Sequence, residues 1–383
     1  MKIGIDGNLA IYEKAGIGKY TTSLIKALLE YDRKNEYVLF FNFFRRPRER
    51  MRFIESMVKN SKSPYKIVIS RLPAAWKERL TQASYPLKNI LKVDVDLYHA
   101  TYFSGIPKVG YPKMTVTIHD LAFMKYPEHR GKKLSNYYYK RTKQAITKTK
   151  KIIVPSLSTK KDLIEYFKIS PSKAVVIPEG VDKIFRPIRN KDEVKQHLRK
   201  YNIKPDFILS VCTLEPRKNL PRLVQAYALL PHQLQQKYQL VLVGGKGWNN
   251  QELVKIIHDL NLKEKVALPG YVAEEDLPYF YNQAKVFVYP SLYEGFGLPV
   301  LEALSCGAPV ITSNVSSMPE VAGKAAILIN PYKEEEIASA LRKVLTSEKL
   351  RETLSHKGIV QAKKFSWRRT AEATLKVFQK VAK

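Results

Sequence analysis

The block Pro-Ser-Leu-Tyr-Glu-Gly-Phe-Gly-Leu-Pro-Val-Leu-Glu-Ala-Leu-Ser-Cys-Gly-Ala-Pro, residues 290–309, gathers residues suited to holding a polar ligand. An apolar run ends at Tyr289, a glycine-bearing turn follows, and a helix is expected from Leu298. The amides freed at such a helix start, across Gly295, Phe296, Gly297 and Leu298, can bind anions or sugar hydroxyls. Glu294 precedes the helix and Glu302 lies within it, a spacing that lets one carboxylate face a sugar and the other a ribose. A glycine turn with an ordinary capping acid explains part of this block, but not the agreement of so many positions. A second segment, Thr213-Leu214-Glu215-Pro216-Arg217-Lys218-Asn219-Leu220, leads from a strand into a helix. Arg217 can grip a diphosphate by its fork and Lys218 can act as a point charge. An Arg-Lys pair is ordinarily solvated surface, and its place at a strand-to-helix turn is what singles this one out.

Two weaker signals lie nearer the N-terminus. Gly16-Ile17-Gly18 sits between the first strand and the first helix, where glycines allow close backbone approach to a ligand. It is not a complete dinucleotide fingerprint. His119-Asp120 leaves the end of a buried strand, where side chains of open parallel sheets meet ligands. Gly244-Gly245-Lys246-Gly247 lacks the Ser/Thr and the spacing of a phosphate-binding NTPase loop, which excludes that class. Asp94-Val95-Asp96 has the acidic spacing that holds divalent metals elsewhere, but it flanks a strand opening and reads as structural. No essential metal and no cofactor are expected.

These residues need elements to position them. Lys2–Ile5, Tyr37–Phe41, Lys66–Ser70, Asp96–His99, Met114–Ile118, Ile152–Pro155 and Val175–Pro178 read as short buried strands. Helical patterns at Thr21–Leu29, Leu134–Thr147 and Thr159–Phe167 separate several of them. A second set follows: Phe207–Cys212, Leu240–Gly244, Val266–Pro269, Val286–Tyr289, Val310–Thr312 and Ala326–Ile329. The helices between these are read at Leu220–Leu230, Gln251–Leu260, Glu275–Asn282, Leu298–Cys306 and Glu334–Leu345. The pattern predicts an α/β protein of two doubly wound, Rossmann-like domains with a ligand cleft between them. The boundaries are set at 1–182, with 365–383 packed back on that domain, and 183–364. The linker falls at about 180–187, in a polar stretch that extends to Pro205.

At 383 residues the chain is long enough for two cores. No apolar run approaches the roughly 20 residues needed to cross a bilayer, and no signal-peptide core follows Met1. Two cysteines, Cys212 and Cys306, are too few for a disulfide framework or zinc site and suit small core residues of a reducing cytoplasm. The net charge is +31, of which +20 falls in residues 1–180, and it implies acidic partners. Arg45, Arg46, Arg48, Arg50, Arg52, Lys59, Lys62 and Lys66 interleave with Phe43, Phe44 and Phe53. Lys132, Lys133, Lys140, Arg141, Lys143, Lys148, Lys150 and Lys151 surround Tyr137–Tyr139. Such mixtures suit an anionic membrane surface or a lipid-diphosphate acceptor, and equally a generally basic soluble surface.

In order and spacing these blocks resemble the retaining glycosyltransferases of family 4, of the GT-B fold. The likeness covers nearly the whole chain. It adds Pro178-Glu179-Gly180-Val181-Asp182 and Pro269-Gly270-Tyr271-Val272 to the segments above, and it is nearest to bacterial mannosyltransferases of surface polysaccharide assembly. The resemblance implies that Arg217 and Lys218 neutralise the departing diphosphate of a nucleotide-sugar donor. It implies that Glu302 binds the ribose, that Glu294 contacts the transferred sugar with the amides of Phe296 and Gly297, and that Val272 reads the base through its backbone. It further places Gly16 and Gly18 by the phosphate and His119 by the sugar. At Glu179 many relatives carry Asn. The implied activity is transfer of a hexose, GDP-mannose favoured as donor, to a saccharide or lipid-linked saccharide with retention of configuration. The implied setting is cytoplasmic, peripheral on the inner membrane leaflet.

Alternatives within the class are UDP-glucose or UDP-N-acetylglucosamine as donor. A sugar-nucleotide epimerase would turn over donor without acceptor, and a glycosyl phosphorylase would require inorganic phosphate. Charge alone would admit a nucleic-acid-binding protein, but no recognised nucleic-acid-binding motif is present, and no nucleic-acid partner is expected.

Overall fold

The computed structural model describes residues 1–13, 16–43, 45–71, 93–106, 113–245 and 251–383. Phe44, Lys246 and Gly247, named above, lie outside the described residues. The chain divides into two compact units, Met1–Gly180 with Ser366–Lys383, and Val181–Phe365.

Among the described residues the first unit has seven parallel strands: β1 (Lys2–Asp6), β2 (Glu36–Asn42), β3 (Tyr65–Ser70), β4 (Leu97–Ala100), β5 (Met114–Thr117), β6 (Lys151–Val154) and β7 (Ala174–Val176). Their order is β3-β2-β1-β4-β5-β6-β7. The central strands are buried along their length, because helices cover both faces of a parallel sheet. Helix Ile17–Tyr31 places Tyr20, Leu24, Ile25 and Leu28 on one buried stripe against β1 and β2. Helix Trp367–Ala382 fills the same core from the far end of the chain with Ala371, Val377, Phe378 and Val381. Ser366 caps it by accepting the Arg369 amide, and the Thr370 hydroxyl donates to the Pro178 carbonyl at 2.8 Å. Fully burying a side chain the size of Phe378 contributes roughly 1.5–3 kcal/mol, so this helix is part of the first unit's stability.

The second unit repeats the plan with β8 (Phe207–Val211), β9 (Gln239–Val243), β10 (Val266–Gly270), β11 (Val286–Tyr289), β12 (Val310–Ser313) and β13 (Ala326–Ile329). Their order is β10-β9-β8-β11-β12-β13, again all parallel. In both sheets the first strand has its sequence neighbour on one side and a later strand on the other. That reversal opens a crevice beyond the carboxyl ends of the two central strands, where doubly wound sheets bind ligands. In the second unit the central strands are β8 and β11.

Some local expectations are redrawn. Beyond the linker, the polar stretch that extends to Pro205 contains a helix not read from the sequence, Lys191–Arg199, whose Val194 and Leu198 are buried. Asn190 caps it by accepting the Asp192 and Glu193 amides. Helix Pro47–Val58, in the arginine-rich stretch, is likewise held by a narrow stripe of Ile54, Met57 and Val58. Crossing to the second unit occurs between Gly180 and Val181, whose side chain packs on the second core. Asp96 of the Asp94-Val95-Asp96 segment accepts the Lys2 amide at 2.7 Å, tying the opening of β4 to that of β1. Cys212 and Cys306 are free and buried, and burial pushes the Cys212 thiol up to about 12. Among the described residues no helix is long and apolar enough to cross a membrane.

Candidate active site

β8 ends in a short 3₁₀ turn, Pro216–Lys218, and Asn219 at φ +61 then opens helix Leu220–Ala228. Asn219 tolerates that left-handed backbone, and its amide group donates to the Pro290 and Pro331 carbonyls at 3.1 and 2.6 Å. The turn is thereby tied to the segment leaving β11. The tie is tightened where the Arg217 carbonyl accepts the Leu292 amide at 2.9 Å. Two loops 70-odd positions apart in sequence become one surface at the switch point.

On that surface the charged groups meet. Arg217 Nη1 lies 2.8 Å from Glu294 Oε2, and Nη2 donates to Glu215 Oε1 at 2.6 Å. Lys218 Nζ donates to Glu294 Oε1 at 2.6 Å and to the Tyr289 hydroxyl at 2.9 Å. Glu294 Oε1 also accepts from Tyr289 at 3.0 Å and Ser291 at 2.7 Å. Glu215, Lys218 and Glu294 are each less than 10% exposed. Burial raises the Glu294 pKa, but Arg217 and Lys218 outweigh it and hold the carboxyl at about 2. Tyr289 is pushed well above the ordinary phenol range, by burial first and then by Glu294, so it remains a hydrogen-bond donor. Two cations and two carboxylates leave the cluster formally neutral. A diphosphate entering it competes with the two carboxylates for Arg217 and Lys218.

Helix Leu298–Cys306 begins directly behind Glu294. Its cap, Gly297, has φ +108, a backbone that any side chain would enter only under strain, and the Met318 methyl packs against it. Gly295 and Phe296 are buried in the turn. One turn into the helix, Glu302 accepts from the Tyr281 hydroxyl at 2.9 Å and is 4% exposed. Val272 is buried just beyond the end of β10, on the side of the sheet reached through β9. Arg217, Lys218 and Glu294 are thus in direct contact, with Gly295–Leu298 continuing from them. Sequence reading did not single out Glu215, Tyr281, Tyr289 or Ser291 as partners. Glu215 and Ser291 carry a short-range signal, since each lies within three positions of the residue it supports.

The remaining candidates belong to the first unit. Gly16, at φ +47, caps helix Ile17–Tyr31. A Cβ at Gly18 would lie 1.7 Å from the Glu13 carbonyl oxygen, so the fold itself requires this glycine. His119 follows β5. Its Nε2 donates to the Thr101 carbonyl at 2.9 Å, and Nδ1 lies 3.4 Å from Glu179 Oε1. The Tyr20 ring packs edge-on against the imidazole at 4.5 Å between centroids. Both ring nitrogens of His119 therefore face protein partners, and Glu179 is the longer contact. Asp120 accepts the Ala122 amide and shapes the turn leaving the strand. Among the described residues no group of three or more His, Cys, Asp or Glu is arranged to hold a metal ion.

Two Rossmann-like units in one chain make the GT-B architecture. Residues 15–184 match the family described as Glycosyltransferase Family 4, and residues 191–361 match Glycosyl transferases group 1. The O-antigen chain mannosyltransferase B of Escherichia coli is 35% identical over 268 residues, covering 70% of this chain and 70% of that enzyme. The serotype-specific mannosyltransferase WbdA of Escherichia coli is 34% identical over 286 residues. That match covers 73% of this chain but 35% of WbdA, so the chain spans about a third of its length. The solved sucrose-phosphate synthase of Thermosynechococcus elongatus shares the fold with a TM-score of 0.75 at 20% identity, covering 100% of this chain and 99% of its own. The chain belongs to this glycosyltransferase family and is a glycosyltransferase that uses nucleotide sugars.

Proposed function

We propose that the protein is a retaining hexosyltransferase that moves mannose from GDP-mannose to a saccharide or lipid-linked saccharide acceptor. The second unit binds the donor and the first the acceptor. The observation that carries this reading is the contact of Arg217 and Lys218 with Glu294 at the β8/β11 switch point. The names of the similar mannosyltransferases support mannose as the sugar.

Cleavage of the bond between the sugar's anomeric carbon and the diphosphate oxygen builds positive charge on the sugar and negative charge on the leaving group. Arg217 and Lys218 stabilise the latter in a site already shielded from water, as fixed charges do for a developing oxyanion. Glu294 and the amides of Phe296 and Gly297 hold the sugar, Glu302 the ribose, and Val272 the base. Gly16 and Gly18 approach the phosphate, and His119 helps position the sugar. The acceptor oxygen attacks from the face the diphosphate leaves. Its proton passes to the departing phosphate oxygen, and the new glycosidic bond keeps the original configuration. With two protein cations on the leaving group, the reaction needs no divalent metal. The exposed basic side chains of the first unit support a peripheral position on an anionic membrane face.

Calorimetric titration with GDP-mannose, UDP-glucose and UDP-N-acetylglucosamine in EDTA tests this, beside the Arg217→Ala/Lys218→Ala double variant. The expected result is binding of GDP-mannose by the wild type and its loss in the variant. Binding of a uridine nucleotide sugar instead reassigns the donor. Failure of all three, or binding only after metal is restored, overturns the corresponding part of the reading.

A further inference from the structure

Three serines from the end of β12 and the turn after it grip the Glu294 turn. Ser313 donates to the Ser291 carbonyl at 2.6 Å. The buried Ser317 hydroxyl lies 3.0 and 2.8 Å from the Glu294 and Phe296 carbonyl oxygens and shares its single proton between them. Ser316 differs from both. Its φ is +58, in the left-handed region that a residue other than glycine enters at a cost. Its hydroxyl accepts the Glu294 amide at 2.8 Å, donates to the Glu294 carbonyl at 2.5 Å and accepts the Ser317 amide at 2.6 Å. One proton and two lone pairs are the whole capacity of a hydroxyl; two of the three go to the peptide groups on either side of Glu294 and the third to the amide that follows Ser316 itself. Glycine would adopt this backbone without strain but could not bridge them. The same segment also fixes the far end of the turn, through Met318 against Gly297.

We propose that Ser316 is a positioning residue of the transfer reaction. It holds the peptide groups of Glu294, and with them the turn to Gly297, in the orientation that recognises the transferred sugar. The inference rests on the reading that this turn faces the sugar of the donor. The diphosphate is gripped by Arg217 and Lys218 side chains from another loop, so loss of the Ser316 bridge separates sugar recognition from nucleotide recognition.

The test uses Ser316→Gly, which removes the hydroxyl and the strained φ together, with calorimetric titration by GDP and by GDP-mannose. The expected result is a GDP affinity within about twofold of wild type and a ratio of GDP-mannose to GDP affinity lowered on the order of tenfold, the worth of one or two lost hydrogen bonds. kcat/KM for the donor falls in parallel. Ser316→Ala, which keeps the strain, shows the same loss of ratio with a lower melting temperature. An unchanged ratio in Ser316→Gly overturns the proposal whatever the melting temperature does. An equal loss of both affinities also overturns it, because it marks general collapse of the site. If wild type binds GDP and GDP-mannose equally poorly and a uridine pair well, the same ratio is read with UDP and the UDP-sugar. If wild type binds no nucleotide sugar, the donor reading fails and this inference with it, whereas failure of Ser316 alone leaves wild-type binding intact.

Discussion

Replacing Glu294 by Gln keeps the shape of the side chain and removes its charge. In the native fold that charge faces Arg217 and Lys218 and accepts hydroxyl hydrogen bonds from Tyr289 and Ser291. Burial opposes ionisation, the two cations outweigh it, and the carboxyl titrates at about 2 against an ordinary 4.5. A folded value below the unfolded one means that the ionised form stabilises the fold. The gap corresponds to roughly 3 kcal/mol, present in full above about pH 4.5 and lost as pH falls through about 2. Glu294→Gln should lower the opening free energy of the second unit by about that amount at pH 7, roughly a hundredfold in the opening equilibrium. Hydrogen exchange of the β11 amides reads that opening without mixing in the first unit. Variant and wild type are compared at equal pH, where intrinsic exchange cancels. The difference should hold from pH 7 to about 5 and shrink steadily below it. No difference at pH 7, or one that keeps its full size at pH 3, refutes the argument that Arg217 and Lys218 neutralise an ionised Glu294. The substitution also takes the cluster of Glu215, Arg217, Lys218 and Glu294 from neutral to +1. GDP should then bind more tightly to the variant even as transfer is lost.

Two further outcomes follow from the first unit. A double-mutant cycle with His119→Ala and Glu179→Ala, read by hydrogen exchange of β5, should show a coupling on the order of 1 kcal/mol or more, because either single change leaves a buried polar partner unmatched. Additivity within measurement error would mean that the 3.4 Å contact is not an interaction. Arg45, Arg48 and Arg52 are exposed beside the half-exposed Phe53. Changing all three to Gln should weaken co-sedimentation with anionic vesicles on the order of a hundredfold, from about 1 kcal/mol per charge near the surface. Equal sedimentation, or wild-type binding to neutral vesicles as strong as to anionic ones, removes the membrane reading.

The strands of the second unit were legible because parallel strands buried on both faces leave unbroken apolar runs: Leu240–Val243 and Val286–Tyr289 carry nothing else. Helix Leu298–Cys306 was legible from the glycines on either side of it. Helices Pro47–Val58 and Lys191–Arg199 were not, because two or three buried side chains hold each in place while charge dominates the rest. In the site, the turns that bear Arg217, Lys218 and Glu294 could be placed from local pattern. Their mutual contact could not, since 76 positions separate Lys218 from Glu294 and only sheet order joins β8 to β11. The serine grip left still less trace. Ser313, Ser316 and Ser317 look like an ordinary polar loop until the left-handed backbone and the direction of each hydroxyl are known.

The packing of helix Trp367–Ala382 into the first unit has a consequence for the order of events during synthesis. A nascent chain that has emerged as far as β7 still lacks Phe378, Val377 and Ala371, which close the face of helix Ile17–Tyr31 and β1. The second unit, Val181–Phe365, is continuous and can complete its core as soon as it clears the ribosome. The half of the enzyme made first is therefore the half finished last. Until residues 366–383 emerge it presents an open apolar groove, at the stage when chaperones have most reason to hold it.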